Sequence, residues 1–230
     1  TYTVIKRLSE RGVIKSENAV ATSIISKEEA QMSELEELMD KKCHAVLPNG
    51  FEADFVPKAA EFKRKRKEAR EMILHMANCL TGCDFPEDTL IVGTSGRYEF
   101  RNKGIDVFIE AMNRLSRDRN LDKQVLALVE VPAWVGEPRE DLVERLCSPD
   151  KFDTPLECPV ITHWLNDMSH DNVTGMMKYH DMWNRPEDKV KLIFVPCYLD
   201  GKDGVINISY YDVIIGKDGW LFYSDTLSDY

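Results

Sequence analysis

The sequence lacks long apolar runs and any excess of positive charge. No stretch of 18 consecutive apolar residues occurs among its 230 residues, so no segment is expected to span a membrane. Lys and Arg number 30 against 40 Asp and Glu, which gives a formal net charge of −10 at pH 7. Because such an acidic chain is not steered toward nucleic acid or an anionic membrane surface, we expect neither as a partner.

The cysteines form no repeating framework, and two nucleotide-binding signatures are missing. The six cysteines are Cys43, Cys79, Cys83, Cys147, Cys158 and Cys197. In a chain of this size, scattered cysteines are typical of reduced thiols, so we expect a cytoplasmic protein. Neither the three-glycine dinucleotide fingerprint nor a Walker loop occurs, which argues against a nicotinamide dehydrogenase and against a P-loop NTPase.

Apolar runs alternate with helical patterns along the chain. Strands are predicted at residues 19–25, 45–47, 90–93, 125–129, 160–162, 191–195 and 220–223, and helices at 27–42, 55–78, 105–112, 140–146 and 209–215. The run VLALV at 125–129 is continuously apolar, as in a strand covered on both faces. The alternation predicts an α/β fold, a Rossmann-like doubly wound and mostly parallel sheet.

The predicted helix at 55–78 carries a basic run, KRKRK, at residues 63–67. One interpretation is a nucleic-acid patch, whose affinity would fall with salt. The favoured interpretation is a solvated helix face, because Glu61, Glu68 and Glu71 lie nearby in the sequence and the net charge is negative.

Residues 90–105 read as a strand, a glycine loop at Gly93–Gly96, a pair of cations and a helix. Glycine lets the backbone turn sharply and approach a ligand. Arg97 and Lys103 place two positive charges beside that loop, which suits a phosphate-bearing group. The alternative is a surface ion pair with Glu99 or Asp106. We favour the phosphate site because α/β sheets bind ligands at the carboxyl ends of their strands.

Several segments, in order, resemble the glycogen synthases of the animal and fungal type. The segment SGRYEFRNKGIDVFIE at 95–110 is similar to their donor site. Further similar segments are VLPNGF at 46–51, PVITH at 159–163 with LND at 165–167, DKVKLIFVP at 188–196 and YYDVIIG at 210–216. The resemblance implies the C-terminal, donor-binding half of a GT-B glycosyltransferase, and so a hexosyltransferase of glycogen biosynthesis.

The resemblance also implies an activity and roles for individual residues. The expected reaction transfers glucose from a nucleotide-diphosphate sugar to an α-1,4-glucan with retention. UDP-glucose is the implied donor, although the sequence does not separate UDP from ADP. Gly96, Arg97, Lys103 and Tyr210 would bind the donor, with Arg97 and Lys103 also catalytic on its phosphates and Tyr210 stacked on its base. Because Tyr211 follows directly, the sequence leaves open which of the two tyrosines matches the family's stacking residue. Neither a metal nor a cofactor is expected.

The chain departs from the family's pattern at both ends. The glutamate pair that follows the last similar segment in the family is not found before Tyr230. We expect residues 1–46 to be a remnant of the first, acceptor-side domain or a linker, and 47–230 to be the donor-binding domain, incomplete at its C-terminal end. The α-glucan would be held through the missing first domain, and this chain alone is expected to bind donor or nucleotide weakly at best and to turn over little or nothing. A homo-oligomer is left open.

Two further groups of residues allow other interpretations, and a rival function is open. The rival is a non-catalytic nucleotide-binding or interaction module that kept the fold.

Cys197 could be interpreted as a nucleophile. No paired base can be identified for it in the sequence, which favours an inert thiol. A metal site from His163, His170 and His180 with the neighbouring Asp167, Asp171 and Asp181 is not favoured, because histidine spacings of seven and ten fit no usual ligand pattern.

Overall fold

The computed structural model describes the strands at 14–17 and 20–23 and the continuous stretch 57–223. The backbone divides into two compact units, Thr1–Phe51 and Glu52–Tyr230. In the first unit, β1 (Ile14–Glu17) pairs antiparallel with β2 (Val20–Ser23). β2 confirms the central part of the strand predicted at 19–25. The helix predicted over 27–42 and the strand over 45–47 lie outside the described residues.

The second unit contains one parallel sheet with helices between its strands. The helices are α1 (Ala59–Thr81), α2 (Ile105–Ser116), α3 (Glu140–Leu146), α4 (Asn172–Tyr179) and α5 (Tyr210–Gly216). The strands are β3 (Leu90–Gly96), β4 (Val125–Glu130), β5 (Val190–Val195) and β6 (Gly219–Tyr223). They lie in the order β5-β4-β3-β6, and every neighbouring pair is parallel. The chain starts near the centre, runs to one edge and returns to the other, which is the doubly wound order predicted.

Apolar side chains leave the sheet on both faces and form two cores. All six residues of β4 are buried, as the sequence predicted. Leu126 and Leu128 pack in a cluster with residues of α1 and α3. Ala127 and Val129 pack in the other cluster, with residues of α2 and α4. The alternation follows from the two-residue period of a strand, and it leaves the ends of the strands as the place where a ligand can enter.

Two predictions about elements were wrong or incomplete. The strand predicted at 160–162 is reduced to a single bridge between Ile161 and Phe194. Backbone hydrogen bonds join Val160 and Thr162 to Phe194 of β5. The guanidinium of Arg139 donates to the carbonyl of Ile161 and to those of Glu157 and Cys158 just before it, so a side chain and not another strand takes these backbone groups. Helix α4 was not predicted at all.

The basic run on α1 lies mostly on a solvated face, as predicted. Its exposed side chains form pairs four residues apart, Arg64 with Glu68, Lys65 with Glu61 and Lys67 with Glu71. Such exposed pairs contribute little to stability. None of the helices among the described residues is both long and apolar enough to cross a membrane.

Candidate functional site

A cavity of about 350 Å³ lies where β3, β4 and β5 end. Ser95 and Gly96 close β3, Glu130 closes β4, residues 197–200 follow β5, and Tyr210 begins α5; all of them line the cavity. Open α/β sheets bind ligands in the crevice outside the carboxyl ends of their strands. The position therefore makes this cavity the candidate functional site.

The glycine loop predicted at residues 93–96 is part of a strand. β3 continues through Gly96 and pairs with β4 over most of its length, so the turn begins only at Arg97. Gly96 has a φ of 145°, a backbone conformation that favours glycine. A Cβ on Gly93 would lie 2.9 Å from the Nζ of Lys217. Gly93 therefore makes room for a lysine side chain, and the prediction that it forms a phosphate loop was wrong.

The two predicted cations have different surroundings. Arg97 follows directly on Gly96, and its side chain is 65% exposed, with Nη1 3.8 Å from Glu99 Oε1. Lys103 is only 6% exposed and lies in the turn before α2, where its backbone N–H donates to the carbonyl of Glu99. Neither residue lines the cavity. Arg97 is exposed directly after the end of β3. The phosphate-binding roles of both cations stay predictions.

Tyr210 is placed on the cavity by the start of α5. Ser209 caps this helix, its Oγ accepting from the backbone N–H of Asp212. The hydroxyl of Tyr210 lies 3.4 Å from the Oγ of Ser95, and partial burial raises the pKa of the tyrosine. Tyr211 is 59% exposed and does not line the cavity. Of the two neighbouring tyrosines, Tyr210 is thus the one that faces the candidate site.

Sequence reasoning missed a buried ion pair at this site. The Nζ of Lys217 lies 2.5 Å from Oε2 of Glu130, and each side chain is 1% exposed. Burial raises the pKa of Glu130 and lowers the pKa of Lys217, while their mutual attraction opposes both shifts. Oε1 of Glu130 is buried without a hydrogen-bond partner among the described residues. The signal in the sequence was a charged residue directly after the apolar run at 125–129.

The histidines named as an alternative metal cluster belong to three separate contacts. Nε2 of His163 lies 3.1 Å from Asp203, Nδ1 of His170 lies 2.9 Å from Asp167, and Nε2 of His180 lies 3.2 Å from Glu110. Each histidine therefore has its own carboxylate partner, so the metal cluster considered from the sequence does not form.

A different trio has the spacing of metal ligands. Among the described residues, ligand atoms of His163, Cys197 and Asp203 lie within 4.8 Å of one another. Oδ1 of Asp203 already accepts from the backbone N–H groups of Val205 and Ile206. Burial raises the pKa of Cys197 to about 12, so its thiol stays protonated at neutral pH. The trio could hold a metal only if the thiol ionised, and the same protonation argues against Cys197 as a nucleophile.

A larger groove, of about 700 Å³, runs along α1 and includes part of the basic run. Its arginines serve the fold. Arg66 donates to the carbonyls of Ile215 and Lys217, and both Arg66 and Arg70 pair with Asp218. Arg70 also donates to the carbonyl of Thr89, just before β3. The groove therefore lies near the amino end of β3, away from the candidate site.

The doubly wound sheet with an open cavity at its carboxyl edge has the architecture of ligand-binding α/β domains. Residues 7–138 match the sequence pattern of the family described as glycogen synthase. This match covers more than half of the chain, so the chain belongs to the glycogen synthase family. Members of this family are GT-B glycosyltransferases.

Curated relatives agree with this assignment. The chain is 25% identical over 247 residues to the glycogen (starch) synthase of Neurospora crassa, covering 83% of this chain and 35% of that protein. It is 25% identical to isoform 2 of Saccharomyces cerevisiae, covering 80% of this chain and 35% of the relative. The liver enzyme of Homo sapiens is also 25% identical, with 80% and 33% covered. The chain thus spans about a third of the length of these relatives.

Proposed function

We propose that this chain is the donor-binding part of a glycosyltransferase that moves glucose from a nucleotide-diphosphate sugar to an α-1,4-glucan with retention. Membership of the glycogen synthase family supports the reaction class. Relatives named glycogen (starch) synthase support glucan as the acceptor. We propose UDP-glucose as the donor, because the segment at 95–110 resembles the donor site of the animal and fungal enzymes.

The single observation that carries the proposal is the cavity at the carboxyl edge of the sheet. Gly96 and Tyr210, predicted from the sequence to contact the donor, line it together. The ring of Tyr210 offers an aromatic surface for a base. Arg97, one residue beyond Gly96, offers a guanidinium for the diphosphate. The donor would therefore lie with its base toward α5 and its phosphates toward the turn after β3.

The chemistry proposed for the cations is stabilisation of the leaving group. Negative charge builds on the diphosphate as the glycosidic bond breaks, and a fixed cation beside it lowers the barrier. Loss of one side chain that stabilises such charge by a hydrogen bond costs about 2.7–4 kcal/mol of transition-state stabilisation in enzymes where it has been measured. We assign this role to Arg97 and Lys103, which would make a metal unnecessary. Lys103 would need to reach the phosphates from its buried turn.

We also propose that the protein works in the cytoplasm. All five cysteines among the described residues are free, and reduced thiols persist in that compartment. The α-glucan acceptor is proposed from the family alone, since the described residues give no direct sign of where it would bind.

Calorimetric titration with UDP and UDP-glucose tests the proposal. We expect saturable binding that weakens at least about tenfold in Arg97→Ala, since a hydrogen bond to a charged group contributes about 1.5–3 kcal/mol. Arg101→Ala is the matched control, because Arg101 is an exposed arginine of the same turn. Absence of binding, or equal loss in both variants, would favour the rival, a non-catalytic module that kept the fold.

A further inference from the structure

We propose that Glu130 reads the base of the donor, its Oε1 accepting a hydrogen bond from an N–H on the edge of the base. In the proposed donor, UDP-glucose, the base is uracil, and its hydrogen-bond donor is the ring N3–H. The inference deepens the proposed function and rests on it. It assigns a specificity-determining role to a residue that sequence reasoning did not single out.

The first observation is a carboxylate oxygen that lacks a partner. Glu130 lines the cavity, and its side chain is 1% exposed. Oε2 is held by Lys217, whereas Oε1 is shielded from solvent and has no hydrogen-bond partner among the described residues. Buried polar atoms in folded proteins nearly always have a partner, so an orphan in the wall of a cavity indicates a place for a ligand atom.

The second observation is the position of this oxygen relative to Tyr210. Ser95 and Glu130 are register partners on β3 and β4, so their side chains leave the sheet on the same face. The hydroxyl of Tyr210 lies 3.4 Å from the Oγ of Ser95. These three residues therefore stand side by side, and a base that packs on the Tyr210 ring brings its edge to Glu130.

Electrostatics favour the base over the phosphates at this position. With Lys217 on its other oxygen, the carboxylate of Glu130 offers only an acceptor at Oε1, so the part of the ligand beside it should carry a hydrogen-bond donor rather than phosphate oxygens. Arg97 lies beyond the end of β3 and suits the opposite, anionic end. An acceptor in the cavity wall and a guanidinium just beyond Gly96 would therefore favour a nucleotide whose base lies at Glu130 and whose phosphates lie toward Arg97.

A structural role alone does not explain the pair. Well-packed apolar residues are often as stable as a buried ion pair, so Glu130 and Lys217 are a costly way to fill this space. Lys217 is explained if its task is to hold Glu130 ionised and fixed by one oxygen. The other oxygen is then left as an acceptor whose position is fixed before a ligand arrives.

The test compares UDP with 3-methyl-UDP, in which the N3–H donor is replaced by a methyl group. On the unaltered protein we expect UDP to bind at least about tenfold more tightly. Loss of a ribose hydroxyl, tested with 2′-deoxy-UDP, should weaken binding less. In Glu130→Gln, the amide oxygen stays on the Lys217 ammonium and the amide N–H₂ faces the ligand. UDP should then lose its advantage over the methylated analogue.

The outcomes separate this inference from the proposed function. If UDP and 3-methyl-UDP bind equally well, and binding weakens in Tyr210→Ala, the role of Glu130 is overturned while the donor site stands. The role of Glu130 is also overturned if removal of the ribose 2′-hydroxyl, tested with 2′-deoxy-UDP, weakens binding and methylation of N3 does not. If UDP does not bind at all, the proposed function fails with it. The analogue comparison needs no variant, so a Glu130→Gln protein that fails to fold would not leave the inference without a test.

Discussion

Lys217 passes over the backbone of Gly93 to reach Glu130. Its Nζ lies 2.5 Å from Oε2 of Glu130, and a Cβ at position 93 would lie only 2.9 Å from that nitrogen. One buried cluster therefore lies beside the candidate donor site. It consists of Lys217 at the end of α5, Gly93 within β3 and Glu130 at the end of β4.

Because the two charges of this buried cluster neutralise each other, substitutions of Glu130 and Lys217 should have strongly non-additive effects on the free energy of unfolding. Lys217→Met leaves a buried carboxylate without a counter-charge, and we expect the free energy of unfolding to fall by about 3–5 kcal/mol. The double variant Glu130→Leu with Lys217→Met should be close to the unaltered protein or more stable than it. Urea unfolding of both single variants and the double variant measures the coupling. Simple additivity would show that the two charges do not depend on each other.

Gly93→Ala should be destabilising because the new methyl group meets Lys217 and the carbonyl oxygen of Leu128. We expect a loss of about 1–3 kcal/mol, as for overpacked sites. Gly175→Ala is the control, since a Cβ there has no neighbour within 4 Å and α4 gains a better helix former. Thermal unfolding distinguishes the two variants, and equal melting temperatures would contradict the role given to Gly93.

Asp218 predicts how stability depends on acid pH. Burial alone would raise its pKa, but the backbone N–H of Ile91 and the guanidinium groups of Arg70 and Arg66 hold it below its ordinary value. A carboxyl group with a lowered folded pKa stabilises the fold above its unfolded pKa, about 3.9, and loses that contribution as the pH falls through the folded pKa.

Asp218→Asn should therefore lower the free energy of unfolding by about 1–3 kcal/mol at pH 7. The deficit should shrink as the pH falls below about 4, where the unaltered Asp218 is also losing its charge. Asp84→Asn is the control, because its pair with Lys151 is exposed and should contribute less than about 1 kcal/mol. A deficit in Asp218→Asn that persists unchanged at pH 3 would contradict this assignment.

The cysteines should differ in reactivity. Burial raises the pKa of Cys79 to about 11 and that of Cys197 to about 12, whereas Cys147 is exposed. Because the thiolate is the reactive form, iodoacetamide at pH 8 should label Cys147 and leave Cys79 and Cys197 unlabelled in the native protein. Peptide mass spectrometry gives the site. Rapid labelling of Cys197 would revive the nucleophile hypothesis.

The order and type of most elements of the second unit could be predicted because strong local patterns decide them. VLALV at 125–129 is apolar throughout, and Ser209 is a capping residue directly before the helix that it caps. Residues 160–162 show the same kind of apolar pattern without forming a strand. Arg139, about twenty residues earlier in the sequence, donates to the carbonyl of Ile161 in that segment and to the carbonyl of Cys158 just before it, and no local pattern could reveal these contacts.

The candidate site was predictable only in part for a similar reason. Gly96 and Tyr210 lie at strand-to-helix boundaries, where position in the sequence indicates position at the edge of the sheet. The contact between Glu130 and Lys217 joins residues that are far apart in the chain, and the pairing depends on how α5 packs. The wrong prediction for Gly93 has the same origin, because the space it leaves is filled by Lys217.

A crystal structure of the protein with UDP would decide where and in which direction the donor binds. We expect nucleotide density in the cavity at the ends of β3, β4 and β5. In it the base lies against Tyr210, N3 faces Oε1 of Glu130, and the diphosphate extends toward Gly96 and Arg97. Density in the groove along α1, or an empty cavity at saturating UDP, would contradict the proposed donor site.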